Sequence, residues 1–392
     1  MDCTATPPTR TQTAQPADDP ARLKPLLNRI AEAAPDTDYE GAFPEDAFAW
    51  LADAGLLSIT LPGHDLDFSR GQTARLLRLL KQVGAANLAV GRVYEGHINA
   101  LYLIHLFASP AQHDRWFNDV RDHNHLFSVW NTQAGDGINI HKTDTSGGPV
   151  FRLSGCKTFC SGAGWVQRPL ITGALHATDR QGWQMAIVPT ERVSPIAEDG
   201  RFWQPLGMRA SASFKLDFTG VELTEADLLG QPDRYFQQPY FSGGAIRFAA
   251  VQLGGAEAIV HETRRFLRSM NRTDDVLQQT RLAEMAYLLE SGNQWLRMAG
   301  EHTDRWLADG TEPQTIVHYA NMTRTAIEEI CLRIMPLAER CVGARGLLRP
   351  EPFERIHRDL TLYLRQPAPD ATLVDIGRYV LNHPNPFDES GY

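Results

Sequence analysis

The residues best suited to chemistry lie between Leu153 and Ala163, in the run Leu-Ser-Gly-Cys-Lys-Thr-Phe-Cys-Ser-Gly-Ala. The pattern predicts a strand, a Ser-Gly turn and a second short strand ending in small polar residues. Small residues at such a strand end let a flat ring approach the backbone. A second candidate group follows the run Leu126–Trp130, where Trp130, Asn131 and Thr132 place one large ring beside two hydrogen-bonding side chains. A third is the apolar stretch Val90–Ala108, which carries Glu95, His97 and His105. Polar groups on such a helix are either satisfied internally or turned toward a ligand. Cys156 and Cys160 have the spacing C-x3-C, but no second pair and no nearby histidine completes a zinc site, so no metal is expected.

Three blocks of secondary structure must position these groups. Residues 1–21 are rich in Thr, Pro, Gln and Ala and read as a disordered tail without the apolar core of a signal peptide. Residues 22–122 read as a helical domain. One helix starts at Phe43-Pro44-Glu45-Asp46, where proline and acidic residues suit a first turn. Another spans Gly71–Val83 with Leu76, Leu77, Leu79 and Leu80 inward. Residues 123–232 change texture. Short runs at Leu126–Trp130, Val150–Leu153, Leu170–Gly173, Met185–Val188 and Ser213–Phe218, punctuated by Gly, Pro, Asp and Asn, predict an antiparallel β-domain. Residues 233–392 return to the helical period. Ala249–Met270, Leu277–Leu307, Pro313–Cys341 and Glu351–Leu364 read as four long helices in a bundle. The fold class expected is therefore α+β and multidomain.

The 392 residues carry a net charge of −9, which argues against nucleic-acid binding. No apolar run approaches the ~20 residues of a membrane span. The five cysteines read as buried thiols in a reducing compartment, so a cytoplasmic location is expected.

Joint order makes the motifs more specific than any one alone. Lys157-Thr-Phe-Cys-Ser-Gly-Ala163 resembles the K-x-[WF]-x-[ST] strand of the acyl-CoA dehydrogenase superfamily. The resemblance implies that Phe159 and Ser161 lie beside a flavin ring, by stacking and by a hydroxyl hydrogen bond. Trp203-Gln-Pro-Leu-Gly-Met-Arg-Ala-Ser-Ala-Ser213 is similar to the family's G-[LM]-R-x-[ST]-x-[ST] segment. Gly207 there suits a tight turn, and Arg209 and Ser213 are candidate cofactor contacts. Gly243-Gly244 resembles the opening of the first C-terminal helix, and Val342-Gly-Ala-Arg-Gly346 resembles a loop that contacts FAD, sometimes across a subunit interface. Gly343 and Gly346 are its candidate residues, since Gly-rich turns before helix N-termini bind phosphates. Trp130, Asn131 and Thr132 occupy the strand end that meets the flavin pyrimidine edge in the family. The resemblance spans roughly residues 22–383 and implies FAD and a homotetramer or homodimer.

Two features pull toward different chemistries. Acyl-CoA dehydrogenases remove an α-proton with a carboxylate, and Pro367 falls where the usual glutamate stands. The alternative position near Gly244 is not acidic either. Asp370, three residues past Pro367, is the nearest candidate base; its bland reading is a solvated or capping aspartate. On the other side, Phe159-Cys-Ser-Gly-Ala163, Asp274–Glu284 and the ending Ile376–Asn382 resemble the dibenzothiophene monooxygenase branch. Those enzymes use reduced flavin and oxygen, which demand hydrogen-bond donors and shielding from water more than a base. Ser161 and His97 are the candidate donors, while Gln366 stands near the place of that branch's C-terminal histidine. The first expectation is a flavin dehydrogenase acting on the CH–CH group of an acyl thioester such as a CoA thioester, with FAD. The alternative is a two-component monooxygenase taking reduced FMN from a flavin reductase and acting on a small organic substrate. A flavin-binding homologue without catalysis is the third.

Overall fold

The computed structural model describes residues 16–192, 202–365, 368–384 and 386. Most of the expected N-terminal tail and the two positions Gln366 and Pro367 lie outside them. The chain opens with α1 (Pro20–Ala33), α2 (Glu45–Asp53), α3 (Thr73–Ala86), α4 (Leu88–Phe107) and α5 (Pro110–His123). Side-chain caps set several of these boundaries. Asn87 ends α3 and caps α4, its Oδ1 accepting from the N–H groups of Ala89 and Val90. Ser109 and Gln112 form a reciprocal capping box on α5, with Pro110 in its first turn. Leu76, Leu77, Leu79 and Leu80 are all buried, as their spacing requires.

The middle block holds β1 (Phe127–Trp130), β2 (Asn139–Thr145), β3 (Gly148–Ser154), β4 (Cys156–Cys160), β5 (Arg168–His176), β6 (Gln181–Ile187), β7 (Phe214–Asp217), β8 (Glu222–Leu223) and β9 (Leu228–Leu229). Seven of them form one sheet in the order β8-β3-β2-β5-β6-β9, with β1 also on β5, while β4 and β7 pair separately. The sheet is mixed, which corrects the antiparallel expectation: β1 and β2 both run parallel to β5. Local alternation marks a strand but says nothing about the direction of a partner some 40 residues away. β2, Asn-Ile-His-Lys-Thr-Asp-Thr, has one buried residue and carried no apolar signal.

The C-terminal helices are α6 (Ala245–Ser269), α7 (Val276–Asp309), α8 (Pro313–Gly346), α9 (Pro352–Tyr363) and α10 (Pro369–Asn382). The first four match the expected helices to within a few residues, and α10 is an addition. The N-terminal helices dock on the bundle by backbone contact between α3 and α6. A Cβ on Gly254 would stand 2.1 Å from the Lys81 carbonyl oxygen, and one on Gly84 would stand 2.5 Å from that of Val251. One continuous apolar core runs through all three blocks. It locks α4 between β1, α6 and α9, and the candidate chemistry collects around that helix.

Candidate functional site

The site has a wall built by β4. Gly155 turns the chain out of β3 at φ 105°. β4 then pairs with β7, and the register breaks between Lys157 and Cys160. Phe159 sits in that break at φ 55°, a left-handed conformation that is costly for a bulky residue. Its ring is 43% exposed, while Thr158 and Cys160 on either side are buried. Phe202 and Trp203 meet it edge-on, with centroids at 5.4 and 6.3 Å. Beside the ring, Ser161 Oγ lies 2.8 Å from Ser213 Oγ, which lies 2.8 Å from Ser211 Oγ. These hydroxyls line a narrow cleft with Phe159, Met208, Arg92 and Tyr363. Tyr363 Oη and the flanking Arg209 Nε are buried and, among the described residues, have no hydrogen-bond partner. An exposed ring against small residues, three clustered hydroxyls and two orphaned polar atoms are what the flat, polar-edged flavin ring system requires. The residues present fit a flavin.

The sequence-predicted contacts divide into those at this wall and those behind it. Phe159, Ser161 and Ser213 form it. Trp130 stands behind, 1% exposed, its Nε1 donating to the Ser161 carbonyl at 3.0 Å. Asn131 lies beyond Trp130 at the end of β1, and its Oδ1 accepts from Thr172 Oγ1 at 2.5 Å. Thr132 is exposed, and its carbonyl accepts from the Thr158 N–H. The end of β1 is held at Asn131 by Lys157, a residue whose role the sequence did not reveal. Its buried Nζ donates to Asn131 O at 2.9 Å, Gln133 Oε1 at 2.7 Å and Thr172 Oγ1 at 3.2 Å. Burial lowers its pKa to about 8. A lysine between two apolar-facing positions of a strand was the available signal.

Gly207 needs no left-handed turn. It is required because a Cβ there would stand 2.1 Å from the Arg358 carbonyl oxygen. That contact seats the Trp203–Ser213 segment on α9, where the Met208 N–H also donates to Asp359 Oδ1 at 2.5 Å.

α4 supplies the other half of the site. Arg92 donates to Glu95 at 2.8 Å, the Asn99 amide donates to the other Glu95 oxygen, and Arg247 Nε donates to Asn99 Oδ1. Glu95 is 3% exposed. Arg92 faces the cleft, and Glu95, Asn99 and Arg247 face an adjoining cavity of about 280 Å³ with Tyr235, Phe241, Phe248 and Arg324. Of these side chains the sequence pointed only to Glu95, as a polar group on an apolar helix, although the spacing 92, 95, 99 is one helical face.

His97 is not a donor to the cofactor. It is fully buried on the opposite face of α4, with Nε2 donating to Leu57 O at 2.8 Å and Nδ1 accepting from the Phe127 N–H at 3.0 Å. Both ring nitrogens are spent, and desolvation lowers its pKa to about 4, so the ring stays neutral. Asp370 is exposed in the first turn of α10 and lines neither cleft nor cavity; Thr372 and Asp375 of the same helix line the cavity instead. A carboxylate in the exposed first turn of a helix faces the helix N–H groups and solvent. Gly343 is an exposed bend inside α8 at φ 59°, and Gly346 packs on Val342 near the helix end. Neither borders the cleft, and neither opens a helix.

Two family models match this chain: the acyl-CoA dehydrogenase N-terminal domain over residues 25–123 and the acyl-CoA dehydrogenase C-terminal domain over residues 246–364. Together they cover more than half of it. The chain belongs to the acyl-CoA dehydrogenase superfamily of flavin-dependent oxidoreductases. Relatives within this superfamily carry both chemistries. A dibenzothiophene monooxygenase of Mycolicibacterium goodii is 24% identical over 86% of this chain and 87% of its own. A probable acyl-CoA dehydrogenase of Bacillus subtilis is 24% identical over 85% and 88%. The crystal structure of dibenzothiophene monooxygenase TdsC from Paenibacillus sp. A11-2 shares the fold, with a TM-score of 0.80 at 19% identity over 92% of this chain and 97% of that one. TdsC has also been crystallised with FMN and indole. Among the described residues, no helix is long and apolar enough to cross a membrane.

Proposed function

We propose that this superfamily member is the oxygenase component of a two-component system, taking reduced flavin from a separate reductase and oxygenating a small organic substrate in the α4–α6 cavity. The observation that carries the reading is the state of Glu95. It is the one buried carboxylate lining the cavity among the described residues, and Arg92 and Asn99 occupy both of its oxygens. A base for CH–CH oxidation must aim a carboxylate oxygen at the substrate's α-proton, whereas each Glu95 oxygen faces a donor of its own helix. The wall instead offers the Ser161–Ser213–Ser211 hydroxyls and Tyr363 Oη, groups that hydrogen-bond a polar edge and stabilise developing charge. A bound reduced flavin supplies two electrons, so that one atom of O2 enters the substrate and the other leaves as water. Phe159 and Trp203 would lie against the ring of a bound flavin and Ser161 would hydrogen-bond its edge, while the aromatic side chains Tyr235, Phe241 and Phe248 line the cavity beside it. Reduced FMN is the cofactor assigned, with FAD the alternative.

A second reading keeps the dehydrogenase chemistry on an acyl thioester, because Glu95 sits between cleft and cavity. One experiment separates them. The flavin-loaded protein is titrated anaerobically with acyl-CoA thioesters, then supplied as reduced flavin with O2 and small aryl substrates. Oxygenated product and no anaerobic bleaching are expected. Bleaching by a thioester that disappears in Glu95→Gln overturns the oxygenase reading and makes Glu95 the base, in place of Asp370.

The protein is assigned to the cytoplasm, supported by the unpaired thiols of Cys160, Cys331 and Cys341. A homodimer or homotetramer is supported by exposed apolar side chains on α7 and at the end of α8: Val276, Leu277, Tyr287 and Leu348. Gly343 and Gly346 lie near that end of α8, so a cofactor contact from them would reach a second copy of the chain.

A further inference from the structure

Arg247 is a half-buried cation with no anion in direct contact; the nearest charge acting on it, Glu95, stands across Asn99 and is already paired with Arg92. Its guanidinium donates to the neutral Asn99 Oδ1 and stands 4.9 Å from the centre of the Tyr102 ring. Among the described residues it forms no salt bridge, and burial disfavours its charged form. The other charges around the cavity are compensated. Glu95 is paired with Arg92 at 2.8 Å, and Asp375 with Arg378 at 2.7 Å. Arg324, stacked 5.0 Å from the centre of Phe248, adds a second guanidinium to the lining. Asp304 borders a smaller neighbouring cavity of about 70 Å³ that Arg247 also lines, but there its carboxylate is engaged by Thr73. The 280 Å³ cavity therefore has a positive end at Arg247, and aromatic walls from Tyr235, Phe241 and Phe248. It is roughly twice the ~150 Å³ of an apolar cavity that holds benzene.

We propose that this cavity takes a small aromatic or planar apolar substrate bearing an anionic group, and that Arg247 binds that anion. The claim rests on the cavity being the substrate site of the oxidoreductase described above. It concerns recognition only and stands whether oxygen or an acyl group is the reaction partner. The anion would supply the contact charge that Arg247 lacks, through charge-assisted hydrogen bonds to its free N–H donors. Asn99 acts as a positioning residue. It holds the guanidinium by one nitrogen and leaves the remaining N–H donors for the ligand.

The test is a calorimetric titration of full-length, FMN-loaded protein with benzoate, benzamide and benzyl alcohol, which share a ring and differ in charge. It is repeated with Arg247→Gln and Arg247→Lys. Benzoate is expected to bind at least about 10-fold more tightly than benzamide. Arg247→Gln should weaken benzoate by roughly 10–100-fold and leave benzamide unchanged, with Arg247→Lys recovering part of the loss. Equal binding of the three probes, no binding of any, or a benzoate preference that survives Arg247→Gln would overturn the assignment. Because the readout is binding, a failure of the oxygenase reading leaves this result standing, and the reverse also holds.

Discussion

Replacing Lys157 by methionine should change how the stability of the fold depends on pH, by a calculable amount. The ammonium is wholly buried, hydrogen-bonded to the neutral oxygens of Asn131, Gln133 and Thr172 with the Trp183 ring 5.3 Å away. Burial brings its pKa to about 8, against 10.5 for an ordinary lysine. Between those two values the unfolded chain binds a proton that the native chain does not, so stability rises with pH across that window. At pH 7 the native state bears nearly the whole penalty, roughly 3 kcal/mol. Raising the pH to about 9.5 removes about 2 kcal/mol of it. Lys157→Met deletes the titrating group and keeps most of the volume. Urea unfolding of both proteins at pH 7 and 9.5, followed by far-UV circular dichroism, gives the double difference, in which other titrating groups cancel. The wild type should gain about 2 kcal/mol on the variant over this interval. Parallel pH profiles would refute the idea that Lys157 is charged and desolvated at neutral pH. The variant should also bind FMN more weakly, because Asn131 and Gln133 lose the donor that fixes the end of β1.

Two further substitutions test the assignment of supporting roles. His97→Leu should cost about 2–5 kcal/mol by orphaning the Leu57 carbonyl and the Phe127 N–H, yet leave the activity of folded protein near wild type, as thermal melts and active-site titration would show. The wild type should lose roughly 3 kcal/mol as pH falls from about 6.5 to 4, since only the unfolded histidine takes up a proton there, and His97→Leu should lack that loss. Gly207→Ala should destabilise by about 1–3 kcal/mol and lower flavin affinity at least severalfold, because a Cβ strikes the Arg358 carbonyl and moves Ser211 and Ser213 away from Tyr363; unchanged flavin titrations would contradict this.

The long helices were legible because their apolar spacing extends over three to nine turns, enough for periodicity to outvote local composition. The Ser154-Gly155 turn, the β4 strand and the Phe159–Ser161 wall were legible because small residues at a strand end have few other uses. β2 was invisible for the opposite reason, since an interior strand with one buried residue among polar ones shows no alternation of hydropathy. The direction of β1 and β2 depended on a partner in β5 that no local signal names. At the site, the reading favoured residues with familiar reactivity and so put weight on His97 and Asp370. What decides their roles is direction: His97 points at two backbone groups, and Asp370 points at water. Arg92, Glu95, Asn99 and Arg247 act through a chain of contacts between α4 and α6, and such a chain exists only once the two helices are packed. Residues Gln366 and Pro367, on which the missing-glutamate argument turned, lie outside the described residues.

The two faces of α4 have separate duties. On one, Tyr94 and His97 are fastened to the carbonyls of Leu56 and Leu57. On the other, Arg92, Glu95 and Asn99 bond one another and Arg247 beside the cavity. Mutations on the second face therefore leave the fastening intact, and mutations on the first are punished as folding defects before chemistry is affected. A helix divided in this way lets a lineage try new reactions without renegotiating its architecture. Exchanging one ionised or amide side chain for another at positions 95 and 99 would change the charge the helix presents to the cavity while leaving its fastening to Leu56 and Leu57 untouched.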